Sequence, residues 1–124
     1  MSNGFKNLHE NGVEIKFNND TLVIAGSIDN RDPGKYLNPY FSQLHNDIVD
    51  SGIKEIKVDL TQLTFLNSSG IKEFVEWIMK IEQLQENKQY NLVFLTNSEL
   101  LWQESSISTL VYLNPDILKK IVIN

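Results

Sequence analysis

Apolar and polar residues alternate strictly over Val13-Glu14-Ile15-Lys16-Phe17, the pattern of a strand with one solvated face. Asn18-Asn19-Asp20 is a turn by composition, because these side chains tolerate left-handed backbone and bond locally. Thr21-Leu22-Val23-Ile24-Ala25 is almost wholly apolar and predicts a strand buried on both faces. The two runs read as a hairpin leading into Gly26-Ser27-Ile28-Asp29. Residues 30–38 are the least regular part. Asp32-Pro33 and Asn38-Pro39 both suit a helix start, with proline in the first helical position. Pro39 would sit badly inside a helix begun earlier, so the second start is preferred, with Tyr36 and Leu37 in the lead-in. Phe41, Leu44 and Ile48 then form its buried stripe, and Gly52 ends the helix.

The second half repeats a strand–helix rhythm. Alternation over Ile56-Lys57-Val58-Asp59-Leu60 places a half-buried strand within 53–60. A helix over 69–85 follows, with Ile71, Phe74, Val75, Ile78 and Ile81 at helical spacing on one side. Asn91-Leu92-Val93-Phe94-Leu95 reads as another buried strand. A helix from about residue 99 to 113 carries Leu100, Ile107, Leu110 and Val111 on one face, and Pro115 stops it. Residues 118–123 close the chain as a strand, or as a short helix followed by one. A hairpin followed by repeated strand–helix units implies an α/β fold, a mixed, mainly parallel sheet of about five strands with three or more helices. At 124 residues the expectation is one domain, 1–124.

Charge and composition remove several classes of function. Eleven basic against sixteen acidic residues leave a net charge of −5, with Lys119-Lys120 the only close basic pair, so no nucleic-acid partner is expected. No apolar run approaches the ~18 residues of a membrane helix, and the first residues lack a signal-peptide core, so a cytoplasmic protein without a membrane partner is expected. The absence of cysteine excludes disulfides, thiolate metal sites and a cysteine nucleophile. His9 and His45 sit in no ligand-spaced or triad-like cluster and read as surface or helix-face residues. Asp29 and Asp59 are the acids that could approach one another, but Asp59 lies in a strand pattern and reads as structural. No catalytic constellation is visible. The expectation is a protein that is not an enzyme, with no cofactor and no metal.

Between the strand at 53–60 and the helix at 69–85 lies Asn67-Ser68-Ser69-Gly70, a polar loop feeding a helix N-terminus. Helix-start N–H groups lack intrahelical partners and the helix dipole is positive there, so an anion is stabilised, whether bound or built onto a serine as phosphate. The plainer reading is that Ser68 or Ser69 caps the helix.

Asp59-Leu60, Leu63-Thr64-Phe65-Leu66 and Asn67-Ser68-Ser69-Gly70-Ile71 together resemble the signature of the STAS domain family, which includes the bacterial anti-sigma-factor antagonists. Gly26-Ser27-Ile28-Asp29 resembles the family segment that faces the serine loop. The element order is also similar over nearly the whole chain. The resemblance implies a STAS-like fold and a non-enzymatic switch that is phosphorylated on Ser68. It implies as partners a serine kinase and anti-sigma factor of the histidine-kinase-like ATPase type, and a metal-dependent serine phosphatase. Unphosphorylated, the switch would dock through Asp29, Asn67, Ser68, Ser69 and Gly70; the phosphate would release it. One departure bears on this: the family usually has Asp where this chain has Asn67, which keeps the size but loses the charge. The alternative is a STAS module without a phospho-switch that binds a small ligand, nucleotide or assembly partner constitutively. Separately, Leu101 and Tyr112 fall off the buried face of their helix and read as an exposed patch suited to a partner or a homodimer, or else as a packed rim. Trp77 is expected at the rim of the core.

Overall fold

The structure, a computed structural model, describes residues 7–123. Its elements in order are β1 (Leu8–Glu10), β2 (Val13–Asn18), β3 (Thr21–Ile28), α1 (Gly34–Ser51), β4 (Glu55–Asp59), β5 (Leu63–Leu66), α2 (Ser68–Glu82), a 3-10 turn (Glu86–Lys88), β6 (Asn91–Thr96), α3 (Leu101–Leu113) and β7 (Leu118–Val122). The architecture is the α/β one expected, a mixed sheet with three helices, but with seven strands instead of about five. The strands run β1-β2-β3-β4-β6-β7, with β5 paired to β3 beyond β4. β1, β2 and β3 are antiparallel; β3–β4, β3–β5, β4–β6 and β6–β7 are parallel.

The two additional strands have local causes. Asn11 and Gly12 both adopt positive φ, 55° and 76°, the backbone of a two-residue hairpin turn that Asn-Gly favours, and it folds Leu8–Glu10 back onto β2. β5 arises because the strand begun at β4 is interrupted, not ended. Asp59 Oδ1 takes the Thr61 N–H at 2.9 Å and its hydroxyl at 2.6 Å, turning the chain at Leu60–Gln62 before it rejoins β3. Asp59 is therefore structural. It sits opposite Val23, six residues back along β3 from Asp29, which separates the two acids by on the order of 20 Å.

α1 starts at Gly34, earlier than the sequence pattern suggested, and Pro39 lies inside it. Its first turn is tied by N–H groups of Lys35, Tyr36 and Leu37 to the carbonyls of Asp32 and Pro33. The early start buries Tyr36 and Leu37 with Tyr40, Phe41, Leu44 and Ile48. Burial of a large apolar side chain contributes ~1.5–3 kcal/mol, so two of them offset the ~3 kcal/mol cost of an internal proline. Gly52 at φ 78° closes the helix where expected.

Each parallel crossover steps the same way across the sheet, and right-handed crossovers then place α1, α2 and α3 on one face. Leu22, Val58 and Phe94, in register across β3, β4 and β6, are wholly buried on that side. The other face carries Lys16, Lys57, Asp59 and Lys119 among Val23, Val93 and Leu95. β3 is consequently buried on one face and only partly on the other, not on both as its composition suggested.

Trp77, expected at the rim of the core, and His45, expected on the surface or a helix face, both belong to the core. Trp77 is wholly buried, stacked on Phe41 with ring centroids 4.8 Å apart. His45 is buried too, with Nδ1 2.6 Å from the Tyr90 hydroxyl, which also accepts from Trp77 Nε1–H at 2.7 Å. With the ring's own proton on Nε2, the Tyr90 hydroxyl donates to His45 Nδ1; with it on Nδ1, the ring donates to the hydroxyl. Burial, with Lys80 nearby, lowers the His45 pKa below its ordinary 6.5. His9, in contrast, is exposed on β1.

Candidate functional site

The site forms where β3 and β5 end side by side. Gly26 makes this possible. It has φ 106°, its N–H bonds Gln62 C=O at 3.0 Å, and a Cβ there would lie 2.0 Å from the Gly12 carbonyl oxygen. Only glycine lets β3 switch partners from β4 to β5 beneath the β1–β2 turn. Asp29 leaves the strand end exposed, with Ser27 Oγ 3.4 Å from its Oδ2.

Asn67 joins this loop to the next helix. In extended backbone (φ −79°, ψ 173°) it is the N-cap of α2, its Oδ1 accepting the Gly70 N–H at 2.8 Å. Its Nδ2 donates to Asn30 C=O at 2.8 Å, and its backbone N–H to Ile28 C=O at 3.0 Å. The cap is thus Asn67, not Ser68 or Ser69. An aspartate at this position would cap as well but has no proton for the Asn30 carbonyl. Both serines become the first two residues of the helix, and both are exposed. Gly70 is buried, and a Cβ on it would come within 2.5 Å of Leu66 Cδ1 and 3.1 Å of Ile28 Cγ2. It lets the helix start press against the ends of β3 and β5.

The five residues singled out in the sequence therefore occupy one corner: Asp29 on the β3 exit, and Asn67, Ser68, Ser69 and Gly70 at the start of α2. Sequence reasoning missed what supports that corner. The buried Gln103 side chain donates to Leu60 C=O at 2.6 Å and Leu63 C=O at 3.2 Å, and accepts the Asn97 N–H at 2.8 Å. Trp102 Nε1 adds a bond to Leu63 C=O at 3.0 Å. The first turn of α3 thereby pins the turn from which β5 departs. An uncharged polar residue next to tryptophan at the head of an apolar helix was the available signal. Phe65 was missed as well; it stands 46% exposed on β5, two residues before Asn67.

Chemically, the corner offers hydroxyl nucleophiles and a positive helix end. His45 is engaged in the core and His9 lies on β1, so no imidazole accompanies the serines. Among the described residues no group of three or more His, Cys, Asp or Glu is placed to hold a metal ion, and no helix is long and apolar enough to cross a membrane. Comparison with family models and with curated proteins gave no match.

Proposed function

We propose that this chain is a non-enzymatic regulatory switch of the anti-sigma-factor-antagonist type. Unphosphorylated, it binds a serine kinase and anti-sigma factor of the histidine-kinase-like ATPase type; phosphorylation of Ser68 releases that partner, and a metal-dependent serine phosphatase restores the bound state. The observation that carries the proposal is the exposure of Ser68 at the first position of a helix whose cap is supplied by another residue. A serine that caps its own helix loses that bond when modified. Ser68 has none to lose there, and its phosphate, at roughly −1.5 to −2 charges, would meet the positive helix end. Asp29 stands on the neighbouring loop, so a partner covering Ser68 would also meet that carboxylate. The setting of the proposal is the cytoplasm, with no nucleic acid involved.

Peptide mapping across residues 67–72 of protein from its native cells tests the reading. Phosphate on Ser68, with binding to the cognate kinase kept by Ser68→Ala and lost by Ser68→Asp, is the expected result. Unmodified peptide under every growth and stress condition would refute it. A second reading, a constitutive binding module for a small ligand, nucleotide or assembly partner, is favoured by one observation. The Asn67 amide ties the Asp29–Asn30 loop to α2 permanently, with no charge to be switched.

A further inference from the structure

Every backbone carbonyl of the Leu60–Leu63 turn has a donor. Leu60 C=O accepts the Leu63 N–H at 3.0 Å, which closes the turn, and Gln103 Nε2 at 2.6 Å. Thr61 C=O accepts Asn97 Nδ2 at 3.3 Å, and Gln62 C=O the Gly26 N–H at 3.0 Å. Leu63 C=O takes Gln103 Nε2 at 3.2 Å and Trp102 Nε1 at 3.0 Å. Apart from Gly26, the donors from outside the turn all come from residues 97–103, where β6 gives way to α3.

Gln103 is at the centre of this arrangement, and its side chain bonds nothing in its own helix. Glutamine in the third position of a helix ordinarily reaches back to the cap residue's N–H. Here the carboxamide is buried, 1% exposed, and its Oε1 takes the Asn97 N–H at 2.8 Å while Nε2 serves the two turn carbonyls. Leu101, two residues earlier, points the other way and is 85% exposed. An apolar side chain would fill the same space as Gln103. What the amide adds is direction, two donors and an acceptor held in one plane.

The piece it directs is short. β5 leaves the turn at Leu63 and delivers Asn67 four residues later. Its strand partner among the described residues is β3, and that pairing carries a register shift between Gly26 and Ser27. The place of β5 along β3 is therefore set by the turn that starts it, not by a long ladder. Asn67 then caps α2 and Ser68 is the first residue of the helix, so a displacement at Leu63 reaches the serine through one extended strand.

We infer that Gln103 is a positioning residue for Ser68: its carboxamide fixes where β5 starts, and thereby where the serine hydroxyl is presented. The functional half of this rests on the proposed phosphorylation of Ser68; the structural half does not.

Amide spectra and hydrogen exchange of the full chain test the structural half without a kinase. Gln103→Met is expected to shift the amides of residues 66–70 and to speed exchange at Asn67 and Gly70 roughly tenfold or more, leaving Lys57 and Asn91 as in the parent. Gln103→Glu keeps the test open should methionine prevent folding. Ionised, it sets a carboxylate against the Leu60 and Leu63 carbonyls; protonated, it donates to one of them and still accepts from Asn97. On acidification, with the parent titrated alongside, its 66–70 amides should return toward the parent's shifts. The midpoint should lie above the ~4.3 of ordinary glutamate, because the site is buried. With the kinase that modifies Ser68, Gln103→Met is expected to lower kcat roughly tenfold or more at unchanged KM, since a buried side chain is out of a partner's reach. Exchange that quickens equally at all four amides, unmoved shifts at 66–70, or a loss confined to KM would each overturn the inference. A parent chain that no kinase modifies, with the amide changes as expected, would refute the switch alone and leave Gln103 as the residue that places Ser68.

Discussion

Asn67 holds two loops with one side chain, and each half of its amide has a separable role. The oxygen caps α2 and the nitrogen closes the Asp29–Asn30 loop. Asn67→Ala removes both and is expected to cost about 1–2 kcal/mol, the usual range for loss of a helix cap. Asn67→Asp keeps the cap and gains attraction to the helix dipole, but sets an acceptor against the Asn30 carbonyl. Its expected cost is smaller, about 0.5–1 kcal/mol. Urea midpoints of the three proteins rank the roles; an aspartate variant as stable as the parent at high salt, where attraction to the helix dipole is screened, would show that the bond to Asn30 contributes nothing. The position of this residue was legible, since a polar loop between a strand and a helix announces a cap. Which residue caps was not legible, because asparagine and serine are near-equal N-caps. The choice is made by the tertiary contact that only the amide can add.

Among the elements, those with a strong period were read correctly and those decided by distant contacts were not. The β2–β3 hairpin, α2 and β6 follow directly from alternation or helical spacing. The start of α1 does not, because a local rule about Pro39 competes with burial of Tyr36 and Leu37, and burial wins. Pro39 withholds the N–H that would bond Lys35 C=O, so Pro39→Ala is expected to stabilise the protein. The internal-proline penalty of ~3 kcal/mol, less ~0.4–1 kcal/mol for the restricted unfolded chain, leaves about 2 kcal/mol, visible as a higher urea midpoint. A lower midpoint would mean the helix start is held by the proline ring itself. The buried polar triad joining α1, α2 and the lead-in to β6 was also beyond local reading, since His45, Trp77 and Tyr90 are distant in sequence. Its folded-state pKa at His45 is depressed, so below ~6.5 the unfolded chain takes up the proton first. The stability this neutral histidine contributes is complete above ~6.5 and falls as the pH drops through and below it. Between about pH 7.5 and 5, the parent should lose more stability than His45→Gln, which has no proton to gain. Parallel pH profiles would show that the imidazole does not titrate differently on folding. Tyr90→Phe strands both the histidine nitrogen and the indole N–H, at an expected cost of about 1–3 kcal/mol.

For the molecule as a whole, the sheet decides what a charge at Ser68 can do. All three helices cover one face, and β3 and β5 end together, so the start of α2 opens to solvent at the edge of the packed layers and not between them. A phosphate there takes the net charge from −5 to nearly −7 without entering the core. The proposed switch needs this asymmetry: the fold must accept the charge while a partner's surface rejects it. The two halves are separable by experiment. Ser68→Asp is expected to leave stability unchanged or raise it by ~0.3–1 kcal/mol through the helix dipole, and Ser68→Lys to lower it by a similar amount. Raising the salt should shrink both differences, because the interaction is exposed and screened. If Ser68→Asp instead costs more than about 1 kcal/mol, the charge disturbs the protein's own packing. Loss of partner binding in that variant would then report local unfolding, and a switch acting through surface charge alone would no longer be tenable.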